Sequence, residues 1–204
     1  PSVGPALAVQ RAARGATISI QIQDPRIAVS NFDFVIPPSH DGLKGPNVLA
    51  TLGAMHRVRT ETLAAAALRW RARYAALPKP RLAVLVGGTS KHHRMTQTVA
   101  QRMGETLREL CASTGGSLMV TASRRTDPES QAALQAALSG TPTDVWDGAG
   151  DNPYLGMLAM ADAVVVTEDS VTMASEAAST GKPMFIAKMD GRAEKFERFH
   201  AALQ

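Results

Sequence analysis

Cysteine, aromatic side chains and long apolar runs are all scarce in this chain, and each shortage closes off a class of protein. The one cysteine among 204 residues, Cys111, excludes an internal disulfide and any multi-cysteine zinc site, and suits a reducing compartment. Aromatics make up 4%, too few for the stacking platforms of single-strand nucleic-acid binders. No apolar stretch reaches the ~18 residues of a membrane span, and no charged-then-apolar leader opens the chain. The expectation is a soluble, cytoplasmic protein. The chain opens on Pro1, inside a helix, and closes inside another at 196–204, which reads as a fragment of something longer.

What is present is globular. Hydrophobic residues at 45% and charged residues at 20% are ordinary for a packed domain, and 204 residues allow one large or two small ones. Charge is unevenly spread. From Arg57 to Arg94 there are nine Lys and Arg against the single acid Glu61, a local +8 that leaves −4 for the rest. Such a band attracts nucleic acid, an anionic membrane surface or a phosphorylated small molecule.

Hydrophobic periodicity decides how that band is used. Strand-like apolar runs at 82–86, 117–122, 144–146, 163–167 and 183–187 alternate with helical stretches, the first striped by Val99, Met103, Leu107 and Leu110 and closing at Gly115-Gly116, the others at 128–138, 153–161 and 170–180. Strict alternation predicts a parallel sheet with helices on both faces. Ahead of it lie a helix ending at Gly15, strands at 17–21 and 32–36, a polar loop at 37–46, a short apolar stretch at 48–52, and a helix striped by Leu63, Ala67, Trp70, Tyr74 and Leu77. The predicted fold is α/β with two Rossmann-like parallel-sheet units, the first one incomplete. The expected division is 1–57 as the end of an N-terminal α/β domain, 58–80 as a connecting helix and linker, and 81–204 as a nucleotide-binding domain.

Open parallel sheets bind ligands beyond the carboxyl ends of their strands. After the first strand of the larger unit comes Gly87-Gly88-Thr89-Ser90-Lys91-His92-His93-Arg94, and after the second Ser123-Arg124-Arg125-Thr126. Glycine amides, hydroxyls and four cations on one edge are the composition of a phosphate or diphosphate site, against the plainer reading of a solvated basic rim. Trp146 and Asp147 close the third strand, where either lines a base pocket or belongs to the core. The fourth strand runs into Thr167-Glu168-Asp169-Ser170-Val171-Thr172-Met173, a helix start, and Glu176 stands alone on its small apolar face. A lone acid there is either a surface residue or the acceptor for a ribose diol. His40-Asp41, on the loop after 32–36, is either a general base with its orienting acid or a locally bonded turn. His56-Arg57 is a further candidate phosphate contact. Adjacent His92 and His93 seldom ligate one ion together, so no metal site is assigned.

The segment Ala161–Pro183 resembles the nucleotide-binding half of GT-B glycosyltransferases, especially the one that adds N-acetylglucosamine to the lipid-linked muramyl-pentapeptide. In that group an Ala-Asp ends a helix, and a Glu is followed five residues later by Gly and seven later by Pro; Ala161-Asp162, Glu176, Gly181 and Pro183 keep that order. The Gly87-Gly88 turn resembles the group's glycine loop. This sequence departs from the group in carrying Asp169-Ser170 where the glycine-rich turn belongs, which sets a carboxylate against any diphosphate there.

A second resemblance spans nearly the whole chain. Gln21-Ile22-Gln23-Asp24-Pro25-Arg26, Phe32-Asp33-Phe34-Val35-Ile36-Pro37-Pro38-Ser39-His40-Asp41, Gly45-Pro46-Asn47-Val48-Leu49, Gly53-Ala54-Met55-His56-Arg57, Ser123-Arg124-Arg125-Thr126, Asn152-Pro153-Tyr154 and Thr167–Met173 are similar to the mitochondrial-fission Elm-type family. That family is known for a plant factor that recruits a dynamin-related protein to mitochondria, and includes many bacterial members assigned to nucleoside-diphosphate-sugar chemistry.

The resemblances imply a GT-B glycosyltransferase-like protein whose donor is a nucleoside-diphosphate sugar, with no cofactor and no metal, because fixed cations and amides stabilise a leaving diphosphate. The nucleotide residues would be Gly87, Gly88, Thr89, Ser90, Lys91, Ser123, Arg124, Arg125, Trp146, Asp169, Ser170, Val171, Thr172, Met173 and Glu176, with His40 and Asp41 catalytic. The acceptor would be lipid-linked or at a membrane surface, which places the protein in the cytoplasm, peripheral to the inner membrane face. The competing reading is a non-catalytic adaptor that presents the Trp70/Tyr74 helix, with Arg69, Arg71 and Arg73, to a partner or membrane. An epimerase of the same architecture shares the pocket, and nucleic-acid binding ranks last.

Overall fold

The computed structural model describes residues 2–203, so Pro1 and Gln204, at the ends of the expected domains, lie outside the described residues. The chain divides into two compact units: residues 2–55 together with 194–203, and His56–Ala193.

In the first unit, helix α1 (Val3–Ala12) leads to two short parallel strands, β1 (Ile20–Ile22) and β2 (Phe34–Ile36), with Ile20 opposite Phe34 and Ile22 opposite Ile36. The apolar stretch after the polar loop extends this ladder through parallel bridges, Val35 with Val48 and Pro38 with Thr51. Pro37 and Pro38 direct the chain into a single helical turn, Ser39–Asp41, closed by Gly42 in the left-handed region at φ 72°. Onto that turn packs the last helix, α7 (Glu194–Ala202), whose Phe199 is 1% exposed and meets the His40 ring at a centroid distance of 5.1 Å. The expected domain of residues 81–204 therefore loses its end to the first unit. The apolar side of α7 finds its cover on the His40 turn.

The second unit opens with α2 (Thr60–Tyr74), where the Arg59 backbone N–H donates to Thr62 Oγ1 at 2.9 Å. Its apolar stripe makes it part of this unit and not a free connector. Tyr74 is wholly buried, and Trp70 lies on Gly156 so closely that a Cβ there would fall 2.4 Å from the indole ring. The alternation read from the sequence follows as β3 (Arg81–Val86), α3 (Gln97–Thr114), β5 (Ser117–Ala122), α4 (Pro128–Ala137), β6 (Thr143–Trp146), α5 (Tyr154–Met160), β7 (Ala163–Thr167), α6 (Val171–Ala178) and β8 (Met184–Ala187). Sequence chemistry sets the helix ends. Thr96 and Asp127 cap α3 and α4 through Val99 N and Ser130 N, Pro128 opens α4 at a position with no N–H to waste, and Gly115 ends α3 at φ 69°.

These strands form one parallel sheet in the order β6-β5-β3-β7-β8. Every residue of β3 is buried, as the unbroken Leu82–Val86 run requires of a strand covered on both faces. The core on one face joins Leu82, Val84 and Val86 to Val99, Met103, Leu107, Leu118 and Val120. The chain moves outward from β3 to β6, then returns to the other flank at β7. The strand order thus reverses between β3 and β7, and the carboxyl ends on either side of a reversal are where a doubly wound sheet opens to ligands. One pairing has no counterpart in the sequence reading: β4 (His93–Arg94) runs antiparallel to β9 (Asp190–Gly191).

Candidate functional site

A cavity of about 600 Å³ opens at the carboxyl edge of the second unit's sheet. Its walls come from Val86 at the end of β3, Thr121–Arg124 at and beyond the end of β5, Trp146 at the end of β6 with Asp147 and Gly148 beyond it, Asn152 and Tyr154 at the start of α5, Met173 in the first turn of α6, and Gln131 of α4. Of the residues predicted from the sequence, the structure gathers Ser123, Arg124, Trp146 and Met173 here. The cavity lining combines one half-buried indole and one exposed guanidinium with hydroxyl, amide and carboxylate groups. It suits an aromatic ring with a polar, anionic tail.

Local bonding holds these walls. Trp146 Nε1 donates to the Ala149 carbonyl at 2.9 Å, and Ala149 N donates to Asp147 Oδ1 at 2.9 Å. The Gly148-Ala149-Gly150 turn therefore fixes the ring, with both glycines at positive φ, 88° and 67°. Tyr154 hydroxyl donates to Glu176 Oε2 at 2.5 Å. Burial first, and the neighbouring carboxylate second, push the Tyr154 phenol well above its ordinary pKa, so it remains a donor at neutral pH. Glu176 thus faces a phenol on the cavity wall, an arrangement that leaves its other oxygen to accept elsewhere. Tyr154, Asn152 and Gln131 were not singled out as site residues. The Asn152-Pro153-Tyr154 signature follows the third strand, and that position was the available signal.

The glycine turn behaves differently from expectation. Gly87 N donates to Thr167 Oγ1 at 2.7 Å, and Gly88 N donates to Asp169 Oδ2 at 3.3 Å. The Thr167 hydroxyl donates a hydrogen bond to Asp169 Oδ1 at 2.7 Å, and Arg125 Nη2 donates to Asp169 Oδ2 at 2.9 Å. The amides expected to hold a diphosphate are therefore engaged by protein groups. Thr89, Ser90 and Lys91 also lie away from the cavity walls: Thr89 Oγ1 accepts from Met95 N, and Ser90 Oγ accepts from His92 N and His93 N, which ties the segment into a tight turn. Ser170 caps α6 by accepting from Met173 N at 3.2 Å, with Val171 and Thr172 in the same first turn. His56 Nε2 meets Ser179 Oγ at 2.8 Å and not an exposed phosphate position.

In the first unit the His40 side chain is 3% exposed, with Nδ1 shut from solvent and without a partner, while Asp41 pairs with Lys195 Nζ at 3.2 Å. Burial pushes the imidazole below its ordinary pKa, with Lys195 and Arg198 adding to the effect of burial and Asp41 opposing it. This geometry makes His40 the packing partner of Phe199, with Nε2 3.8 Å from Asp41 Oδ1. On the Trp70/Tyr74 helix Arg73 forms a fork to Asp144 and Arg69 pairs with Asp151, while Leu68 and Arg71 stay exposed.

A doubly wound parallel sheet with its cavity beside the strand-order reversal defines a Rossmann-like α/β protein of the GT-B kind. The family follows from the sequence: the chain belongs to the mitochondrial fission ELM1 family, whose model matches residues 1–204. It is 33% identical over 223 aligned positions to mitochondrial fission protein ELM1 of Arabidopsis thaliana, covering 98% of this chain and 52% of that protein. Among solved structures it is similar to a glycosyl transferase of family 9 from Veillonella parvula, with TM-score 0.52 and 11% identity over 94% of this chain and 64% of that one. It is also similar to the UDP-GlcNAc 2-epimerase of Neisseria meningitidis bound to UDP-GlcNAc, with TM-score 0.54 and 13% identity over 84% of this chain and 48% of that one. At such identities the two structures establish the fold. The chain spans about half the length of its curated plant relative. Among the described residues no helix is long and apolar enough to cross a membrane.

Proposed function

We propose that the second unit binds the nucleotide of a nucleoside-diphosphate sugar, and that the whole protein transfers the sugar to a hydroxyl of a lipid-linked or membrane-surface acceptor. The observation that carries this reading is the cavity itself, whose walls bring together an indole and a guanidinium on the ligand edge of the sheet. In this reading Trp146 covers the base, Tyr154 and Glu176 take the ribose hydroxyls, and Arg124 receives the phosphates. In such a transfer the bond from the anomeric carbon to the diphosphate breaks, the acceptor oxygen bonds to that carbon and gives up its proton to the departing diphosphate or to water, and charge gathers on the diphosphate as it leaves. A fixed guanidinium offsets that charge without reorganising. An epimerase would use the same pocket, as the similarity to a UDP-GlcNAc 2-epimerase allows, and product analysis separates the two.

One observation favours a second reading, the non-catalytic adaptor: the glycine cradle is filled by Asp169. Calorimetric titration of the full-length protein with UDP, GDP and ADP decides between them. The transferase reading expects micromolar binding of one nucleotide, weakened about tenfold or more by Arg124→Ala and by Trp146→Ala, a loss of roughly 1.4 kcal/mol each. Failure of all three nucleotides to bind the folded protein would overturn it in favour of the adaptor.

A further inference from the structure

The turn after the first strand of a Rossmann-like unit presents backbone amides to an anion. In this protein an anion already sits there. The Asp169 carboxylate has none of its side chain exposed and receives the Thr167 hydroxyl, the Gly88 amide and the Arg125 guanidinium. The fit is tight enough to explain both glycines. A Cβ on Gly87 would fall 1.9 Å from Asp169 Oδ1, and one on Gly88 would fall 2.1 Å from the Arg125 carbonyl group. The cradle has the shape of an anion site built around an internal carboxylate.

The geometry points to Asp169 as a specificity-determining residue, a built-in anion that keeps a ligand's phosphates out of the glycine cradle and steers them to Arg124. This rests on the reading of the cavity as a nucleotide pocket and adds the phosphate path to it. Two adjacent arginines divide the work. Arg125, half exposed, is paired with Asp169, while Arg124 is exposed and lines the cavity. A phosphate brought toward Gly87 meets carboxylate oxygens at short range and finds the Gly88 amide and the Arg125 guanidinium already engaged by them. Arg124 is then the cationic side chain on the cavity wall left to receive a diphosphate.

The test compares UDP, GDP and ADP with uridine, guanosine and adenosine by calorimetry on the full-length protein. The preference for the diphosphate over its nucleoside is expected to vanish in Arg124→Ala and to survive in Arg125→Ala. In Asp169→Asn, which keeps the shape and removes the charge, diphosphate affinity is expected to rise about tenfold or more while nucleoside affinity stays within about twofold. Thermal melts accompany each variant, and Arg125→Ala alone suffices if Asp169→Asn does not fold. Loss of the preference in Arg125→Ala, or an unchanged preference in a folded Asp169→Asn, would overturn the inference while leaving the pocket intact. Absence of binding by every nucleotide and nucleoside would instead bring down the pocket reading, and this inference with it.

Discussion

Gly156→Ala should destabilise the second unit although it replaces glycine by the best helix former. Gly156 is buried in the first half of α5, where alanine gains about 0.5–1 kcal/mol of backbone preference. Against that, the new Cβ would stand 2.4 Å from Trp70 Cγ and Cδ1 and 2.7 Å from Trp70 Cβ. Contacts this short force one helix to move, and overpacking of this sort costs about 1–3 kcal/mol. The indole has little freedom to yield. Arg69 and Arg73 lie 5.6 and 5.9 Å from its ring centroid, and Arg73 is held by a fork to Asp144. The net expectation is a loss of about 1–2 kcal/mol, or several degrees of melting temperature at about 2–4 °C per kcal/mol. The assay is a double-mutant cycle with Trp70→Ala, followed by far-UV circular dichroism in urea. On the Trp70→Ala background the contacts to Cγ and Cδ1 are gone and only the 2.7 Å approach to the residue-70 Cβ remains, so most of the loss caused by Gly156→Ala should disappear. A neutral or stabilising effect with Trp70 present, or the same loss without it, would refute the argument that Gly156 is small because α2 presses on it.

Two further outcomes follow from the same packing. Because burial lowers the His40 pKa in the folded state, the unfolded chain binds the extra proton more readily, and stability rises with pH. The His40 contribution is full above the unfolded value of 6.5 and is lost as pH falls from there through the folded value. Melting between about pH 7.5 and pH 5.5 should therefore show a downward slope that His40→Gln flattens, and an unchanged slope would contradict the assignment. Arg73→Lys should cost about 0.5–1 kcal/mol, since the lysine cannot reproduce the two-pronged contact to partly exposed Asp144, and Asp144→Ala in the same background should add little beyond it. Denaturant midpoints of the three variants check this.

The sheet was legible because the chain states it plainly. The runs Leu82–Val86 and Ala163–Thr167 are apolar and β-branched, they end in small or hydroxylic residues, and each is separated from the next by a helix-length stripe. Once strands and helices alternate, the ligand edge follows from topology, and Arg124 and Trp146 were found by looking there. The cradle was half legible. Asp169 was seen as an acid in a place meant for glycine, but its contact with Gly87 joins residues 82 positions apart and is a matter of backbone approach that no spacing rule records. The β4–β9 pair is two residues long on each side and carries no period to read. The placement of α7 depends on Phe199 meeting a histidine some 160 positions earlier, which a helical stripe alone does not specify. The Trp70 stripe announced an apolar face, while what covers it, a glycine in α5, had no signature of its own.

The central place of β3 has a consequence for how the second unit opens and closes. Its ladder partners on either side, β5 and β7, leave its amides no solvent-facing flank, so Leu82–Val86 can exchange their protons only when the sheet itself comes apart. At the margin, β8 keeps one free flank and shows Phe185 at 57% exposure. Deuterium should enter from that margin inward. And since Leu82 waits for Ala163 before its second ladder exists, most of the unit must be gathered before its middle is secured, which makes its folding slow for its size.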